Sequence, residues 1–193
     1  MERLGWHPFF NAQIEENDAS LRTARVVEEQ RGQCRVSGQF DGWAEVSGRF
    51  RHETRTAAGF PAVGDWVRVT VAAGADRALV HQRLERRSTL SRKAAGRGAD
   101  EQVVAANVDT VFLVNGWPHD VSANRIERYL TMVWDGGAVP IVVLNKADLC
   151  ADPGAEAAAL RERLPLVDIV VATALTTEGV SELAPYLKPA RTV

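Results

Sequence analysis

Two patterns of apolar and polar residues follow one another along the chain. From Ala24 to about Glu85 they alternate in short runs: Ala24–Gln30, Gln33–Ser37, Trp43–Phe50, Asp65–Val71 and Ala78–Leu84. Arg31-Gly32, Asp41-Gly42, the loop holding Gly59, Pro61 and Gly64, and Gly74-Ala75-Asp76 separate them. Alternation with a period of two predicts half-buried strands, and five of them at roughly ten-residue spacing predict a small closed barrel or sandwich. The size is that of an OB-fold, whose open face often binds nucleic acid. An SH3-like barrel would read almost the same. Trp43 and Trp66 fall within these strands and read as barrel core.

Beyond residue 102 the pattern becomes α/β. Thr110–Val114 and Pro140–Leu144 are continuous apolar runs, the mark of strands buried on both faces, and Val167–Ala172 is a third. Between them, Ser122–Trp134 places Ile126, Tyr129, Leu130 and Val133 on one helical face, with Ser122 as N-cap and Gly136-Gly137 as the stop. A second helix is predicted near Ala155–Leu164 and a short last one at Ser181–Leu187. Strands alternating with helices predict a parallel sheet with crossover helices. Three strands make a thin sheet, and the chain stops at Val193 where another strand would be expected.

The domain reading is therefore an arm over residues 1–20, a barrel over 21–88, a basic linker over 89–102 and an incomplete α/β domain over 103–193. Composition agrees with a globular chain: of 193 residues, 46% are hydrophobic and 25% charged. No apolar run approaches the ~20 residues a membrane span needs. The N-terminus lacks a basic stretch followed by an apolar core, so no secretory leader is predicted. Cys34 and Cys150 are far apart with no metal-ligand spacing, which predicts reduced thiols in a cytoplasmic protein.

Charge changes this picture. The net value is only −2, yet residues 20–99 hold 14 Arg and 1 Lys against 8 acidic residues, while residues 101–193 hold 7 basic against 12 acidic. Arginine in such excess suits bidentate phosphate recognition, although a GC-rich genome also produces it. Arg49, Arg51 and Arg55 follow the third strand; Arg86, Arg87, Arg92 and Lys93 lie in the linker region. A solvated surface is the plain reading of both clusters, and contact with an RNA backbone is the functional one.

The sharpest chemical signal is Asn145-Lys146-Ala147-Asp148, directly after the buried strand. In an α/β sheet, ligands bind where strands end at their carboxyl side. The Asp148 carboxylate can accept both the ring N–H and the exocyclic amine of guanine, a donor pair adenine lacks. Asn145 can tie the loop and reach the other edge, while the Lys146 stem covers the ring. A solvated turn with Asp148 as a helix cap is the alternative. One strand later, Thr173-Ala174-Leu175 occupies the place where GTPases present a backbone N–H to the guanine oxygen. No G-x-x-x-x-G-K-S/T phosphate loop and no D-x-x-G motif occurs, so no catalytic residue is assigned in this chain.

These motifs resemble one family in their order. Leu4–Trp6 (LGW), Arg25–Gly32 (RVVEEQRG), Val63–Val67 (VGDWV), Leu90–Lys93 (LSRK), Gln102–Val114 (QVVAANVDTVFLV), Arg125–Leu130 (RIERYL) and Val142–Leu149 (VVLNKADL) are similar to the ribosome small-subunit-dependent GTPases, RsgA/YjeQ. The resemblance implies an OB-fold joined to a circularly permuted GTPase domain, in which the base motifs precede the phosphate loop. It implies a cytoplasmic factor acting in late maturation of the small (30S) ribosomal subunit, with GTP or GDP at Asn145, Lys146, Asp148, Thr173 and Ala174 and rRNA on the barrel. Mg²⁺ and a structural Zn²⁺ would belong to the part beyond this chain, which alone would be inactive. The rival is a non-enzymatic RNA-binding protein keeping a vestigial GTPase half.

Overall fold

The computed structural model describes residues 1–14, 20–30, 32–93, 101–176 and 178–193. Residues 15–19 of the expected arm and 94–100 of the expected linker lie outside the described residues, as do the side chains of Lys93 and Glu178. The chain divides into two compact units, Met1–Val108 and Asp109–Arg191.

The first unit opens with the short helix α1 (Pro8–Asn11), capped by His7, whose Nδ1 accepts from the Phe9 N–H at 3.1 Å. Five strands follow: β1 (Arg22–Gln30), β2 (Gln33–Gly38), β3 (Gly42–Val46), β4 (Trp66–Val71) and β5 (Arg77–Arg83). They close a barrel in the order β1-β2-β3-β5-β4, with β3 and β5 parallel and the other pairs antiparallel. Every second residue faces inward, and the interior consists of small side chains: Ala24, Val26, Cys34, Val36, Ala44, Val67, Val69, Ala78 and Val80. Closure removes the free edges an open sheet would expose.

The third run is shorter than its alternation predicts. β3 ends at Val46 because the Ser47 hydroxyl accepts from the Phe50 N–H at 3.2 Å and starts a helix, α2 (Gly48–Glu53). Trp66 is fully buried, but it packs with Phe10 and Leu84 outside the barrel interior. Trp43 is half-buried and joins none of the described core clusters.

The expected linker contains structure. β6 (Thr89–Lys93) pairs antiparallel with β7 (Glu101–Ala106), and this ribbon belongs to the first unit. The second unit begins at Asp109 rather than at Val103. A two-stranded ribbon buries too little surface to impose an apolar period, so the sequence pattern was silent there. The end of β7 docks on the loop before β4, where the Ala106 N–H donates to Val63 O at 2.8 Å. Gly64, with φ of +94°, makes this possible, because a Cβ there would sit 1.9 Å from Ala106 O. Buried Arg25 donates to Gly64 O and Asn107 O from the same side.

Asp65, next in sequence, is fully buried and needs a counter-charge. Arg86 supplies it with two bonds of 2.8 and 2.7 Å, and spends its remaining donors on Ala58 O and Phe60 O. Removing one partner of a buried ion pair leaves an uncompensated charge.

In the second unit, β8 (Thr110–Gly116), β9 (Val139–Asn145) and β10 (Asp168–Val171) form a parallel sheet in the order β10-β9-β8. The helices α3 (Ala123–Asp135) and α4 (Pro153–Arg163) pack on one face through Ile126, Leu130, Ala157 and Leu160 against Val142 and Leu144. Ile141 and Val143 face the other way, toward Phe112, Leu183 and Tyr186. A last short helix, α5 (Glu178–Ser181), precedes that turn. Tyr129 of the expected apolar stripe is exposed, and the Ser122 side chain makes no cap; its carbonyl receives Arg125 and Ile126 instead. No described helix is long and apolar enough to cross a membrane.

The Asp65–Arg86 pair yields a stability prediction. Arg86→Ala should lower the unfolding free energy by about 3 kcal/mol, measured by urea denaturation, whereas Arg55→Ala on the exposed surface should change it by less than about 0.5 kcal/mol.

Candidate functional site

Because β9 is covered on both faces, it can carry no polar side chain until it ends. Asn145 is the first, at the carboxyl end of the strand, beside the carboxyl ends of β8 and β10. The chain then turns sharply. Lys146 adopts the left-handed conformation (φ 61°, ψ 41°) and a single turn covers Ala147–Leu149. Such a backbone costs a non-glycine residue on the order of 1 kcal/mol, so its surroundings must hold it.

Neighbouring strands do so through the backbone. The Trp117 N–H donates to Asn145 O at 3.1 Å, and the Ala147 N–H donates to Ala172 O at 3.1 Å. Two side-chain bonds join the loops that follow β9 and β10. Asn145 Oδ1 accepts from the Ala174 N–H at 3.1 Å, and the Thr173 hydroxyl donates to Asp148 Oδ1 at 2.7 Å. The structure thus gathers Asn145, Asp148, Thr173 and Ala174 into one cluster, although 25 residues separate Asp148 from Thr173. Lys146 and Asp148 remain exposed, and the Lys146 stem lies over Gly116, where a Cβ would come within 3.4 Å of Cδ.

The cluster offers a carboxylate already oriented by a hydroxyl, a backbone N–H ordered by an amide, and a long alkyl stem beside them. That is a set suited to a planar ring bearing adjacent N–H donors on one edge. The Gly116-Trp117 backbone is a part of the site that residue-type reasoning missed. Its signal was the turn sequence directly after an apolar strand, at the sheet's ligand-binding edge. The buried Trp117 ring anchors this loop in the core under α3 and α4, with its N–H donating to Glu156.

The cationic residues of the first unit separate into two groups. Arg49, Arg51 and Arg55 are exposed on or beside α2, Arg49 pairing with Glu53 one turn away. Arg87 is exposed, and so is Arg92, which donates to Gln102 across the β6–β7 ribbon. Arg86 does not belong with them. Only 10% of its side chain is exposed, and its guanidinium is committed to Asp65 and two carbonyls, so no phosphate can claim it. Among the described residues, no group of three or more His, Cys, Asp or Glu side chains could hold a metal ion.

Residues 83–193, more than half of the chain, match the family model described as RsgA GTPase. The chain belongs to the RsgA GTPase family.

It is 40% identical over 203 residues to the small ribosomal subunit biogenesis GTPase RsgA of Opitutus terrae, covering 100% of this chain and 55% of that protein. The family's Xylella fastidiosa (strain 9a5c) member is 40% identical over 181 residues, covering 91% of this chain and 50% of that protein. Among solved structures, YjeQ from Thermotoga maritima is similar with a TM-score of 0.68 and 26% identity, covering 87% of this chain and 57% of that one. YloQ, a circularly permuted GTPase, shares the fold with a TM-score of 0.64, covering 91% of this chain and 59% of that one. The chain spans about half the length of the curated relatives it matches.

The bond from the Ala174 N–H to Asn145 gives a local test. Asn145→Ala should speed amide exchange at Ala174 by about tenfold, the scale of one lost hydrogen bond, and leave exchange at Val142 unchanged by NMR.

Proposed function

We propose that this chain supplies the guanine-recognising half of a GTP/GDP site and an rRNA-binding OB-type barrel to a cytoplasmic GTPase that acts in late maturation of the small ribosomal subunit. The observation that carries the reading is the clasp between the loops after β9 and β10. Asp148, Thr173, Asn145 and Ala174 meet there at the carboxyl edge of a parallel sheet. In this reading Asp148 accepts both donors of the guanine edge and the Lys146 stem covers the ring, while the Ala174 N–H exchanges its bond to Asn145 Oδ1 for the guanine oxygen. Thr173 holds the two loops in register through Asp148, and Asn145 reaches the other edge of the ring.

Hydrolysis needs more than base recognition. Phosphoryl transfer is catalysed by positioning and by stabilising charge on the phosphoryl oxygens, which takes a Gly-rich backbone cradle, a lysine and a cation. This sequence has no such loop. The 193-residue chain alone therefore binds nucleotide weakly and hydrolyses none, and turnover belongs to a polypeptide of the relatives' full length. In this reading Mg²⁺ and a structural Zn²⁺ are held by residues of the longer polypeptide. For the barrel, the exposed Arg49, Arg51, Arg55, Arg87 and Arg92, together with Lys93, supply backbone contacts to rRNA.

Nucleotide recognition is tested in a full-length family protein carrying this chain. Asp148→Asn should weaken GTP binding by about 3 kcal/mol and favour xanthosine triphosphate, because buried polar groups reject a mismatched partner strongly. Calorimetry measures the affinities, and phosphate release compares the full-length protein with the 193-residue chain. Equal GTP affinity in the variant, or turnover by the short chain, would overturn the assignment.

RNA contact is tested by salt. Binding to small-subunit rRNA should weaken as salt rises. Arg87→Glu with Arg92→Glu should reduce the slope of log affinity against log salt by about 0.7–0.9 per lost contact. Salt-independent association would count against the barrel's role.

A further inference from the structure

One cavity in the first unit borders the barrel interior, since two of its lining residues, Cys34 and Ala44, are interior side chains of the barrel. It measures about 110 Å³ and lies where β2 and β3 meet the α2 segment. Its walls are largely apolar: Cys34 and Ala44 are buried, Val46 and the Phe60 ring are partly exposed, and the exposed Arg51 and Glu29 also line it. Burial, with Glu29 and Asp65 nearby, pushes the Cys34 thiol up to about 11, so this wall is neutral at physiological pH. Phe60 meets Phe50 of α2 edge-on, with ring centroids 6.2 Å apart. The cavity wall is therefore tied to the helix that displays Arg49 and Arg51 and is followed by Arg55.

Ligand pockets for larger molecules run to ~300–1,000 Å³, so this one suits a single planar base. A ring delivered by an anionic backbone is what the adjoining arginines would attract. Unpaired RNA bases are read in this way, splayed from the strand and held against aromatic or apolar side chains. We propose that the cavity between Phe60, Cys34 and Arg51 receives one unpaired, amine-bearing base of single-stranded RNA, while Arg49, Arg51 and Arg55 hold the flanking phosphates. Glu29 is the acceptor for the exocyclic amine, which adenine carries and uracil lacks. This rests on the RNA-binding reading above and adds a base site to a surface so far given only phosphate contacts.

Fluorescein-labelled RNAs of about 12 nucleotides, within the ~4–16 covered by a small barrel, test it: oligo(A), oligo(U) and an abasic ribose-phosphate strand of equal length. The 193-residue chain should bind oligo(A) about tenfold more tightly than the abasic strand, the scale of one stacked base. Phe60→Leu should bring that ratio toward one with the abasic affinity unchanged, and Arg51→Ala should weaken all three RNAs. Equal binding of oligo(A) and abasic RNA overturns the base site while leaving the phosphate contacts standing. Oligo(U) binding as tightly as oligo(A) overturns the role of Glu29. Absence of binding by every RNA overturns the RNA reading and this inference together.

Discussion

The second unit depends on the burial of β9 from both sides. Val142 and Leu144 face the helices, and Ile141 and Val143 face the C-terminal turn. A strand enclosed in this way must be apolar for its whole length, and polar chemistry can begin only where it stops. That constraint puts Asn145, Lys146 and Asp148 on one short turn at the ligand-binding edge of the sheet. It also explains why the turn can be strained. Lys146 stays in a left-handed conformation because backbone bonds from Trp117 and to Ala172 fasten the segment on both flanks.

The clasp between the loops after β9 and β10 follows from the parallel arrangement. Parallel neighbours end on the same side, so the residues that leave them are brought together however long the crossover between them. Here the crossover contains α4, and the loops meet through one amide and one hydroxyl. The hydroxyl orients the exposed Asp148 carboxylate, and the amide oxygen engages the Ala174 N–H. A preorganised carboxylate loses little freedom when a ligand arrives.

In the first unit the comparable constraint is the buried carboxylate of Asp65. It accepts from the Ala62 N–H as well as from Arg86, and so it pins the loop that leads into β4. The same loop carries Gly64, whose lack of a side chain lets β7 approach. One arginine of a conspicuously basic segment is thereby removed from the surface, while its sequence neighbour Arg87 stays exposed. Cationic residues next to each other in sequence do different work, and counting charge alone cannot separate them.

By itself the sequence determined those features that a local period or a compact motif can express. The alternation from Ala24 onward specified barrel strands, the unbroken apolar run before Asn145 specified a central strand, and N-K-A-D directly behind that run marked the turn where polar side chains first appear at the carboxyl edge of the sheet. The ordered motifs from the LGW segment to VVLNKADL carried the family. Tertiary structure alone decided whatever depends on a partner distant along the chain. β6 finds its partner across residues the pattern left blank. Arg86 is claimed by a carboxylate 21 positions earlier, and Thr173 reaches Asp148 across a strand and a helix. The physical reason is common to all three. A hydrophobic pattern reports which face of an element leaves water, but hydrogen bonds and ion pairs are made with whatever the fold brings alongside, and that is not written in the segment itself.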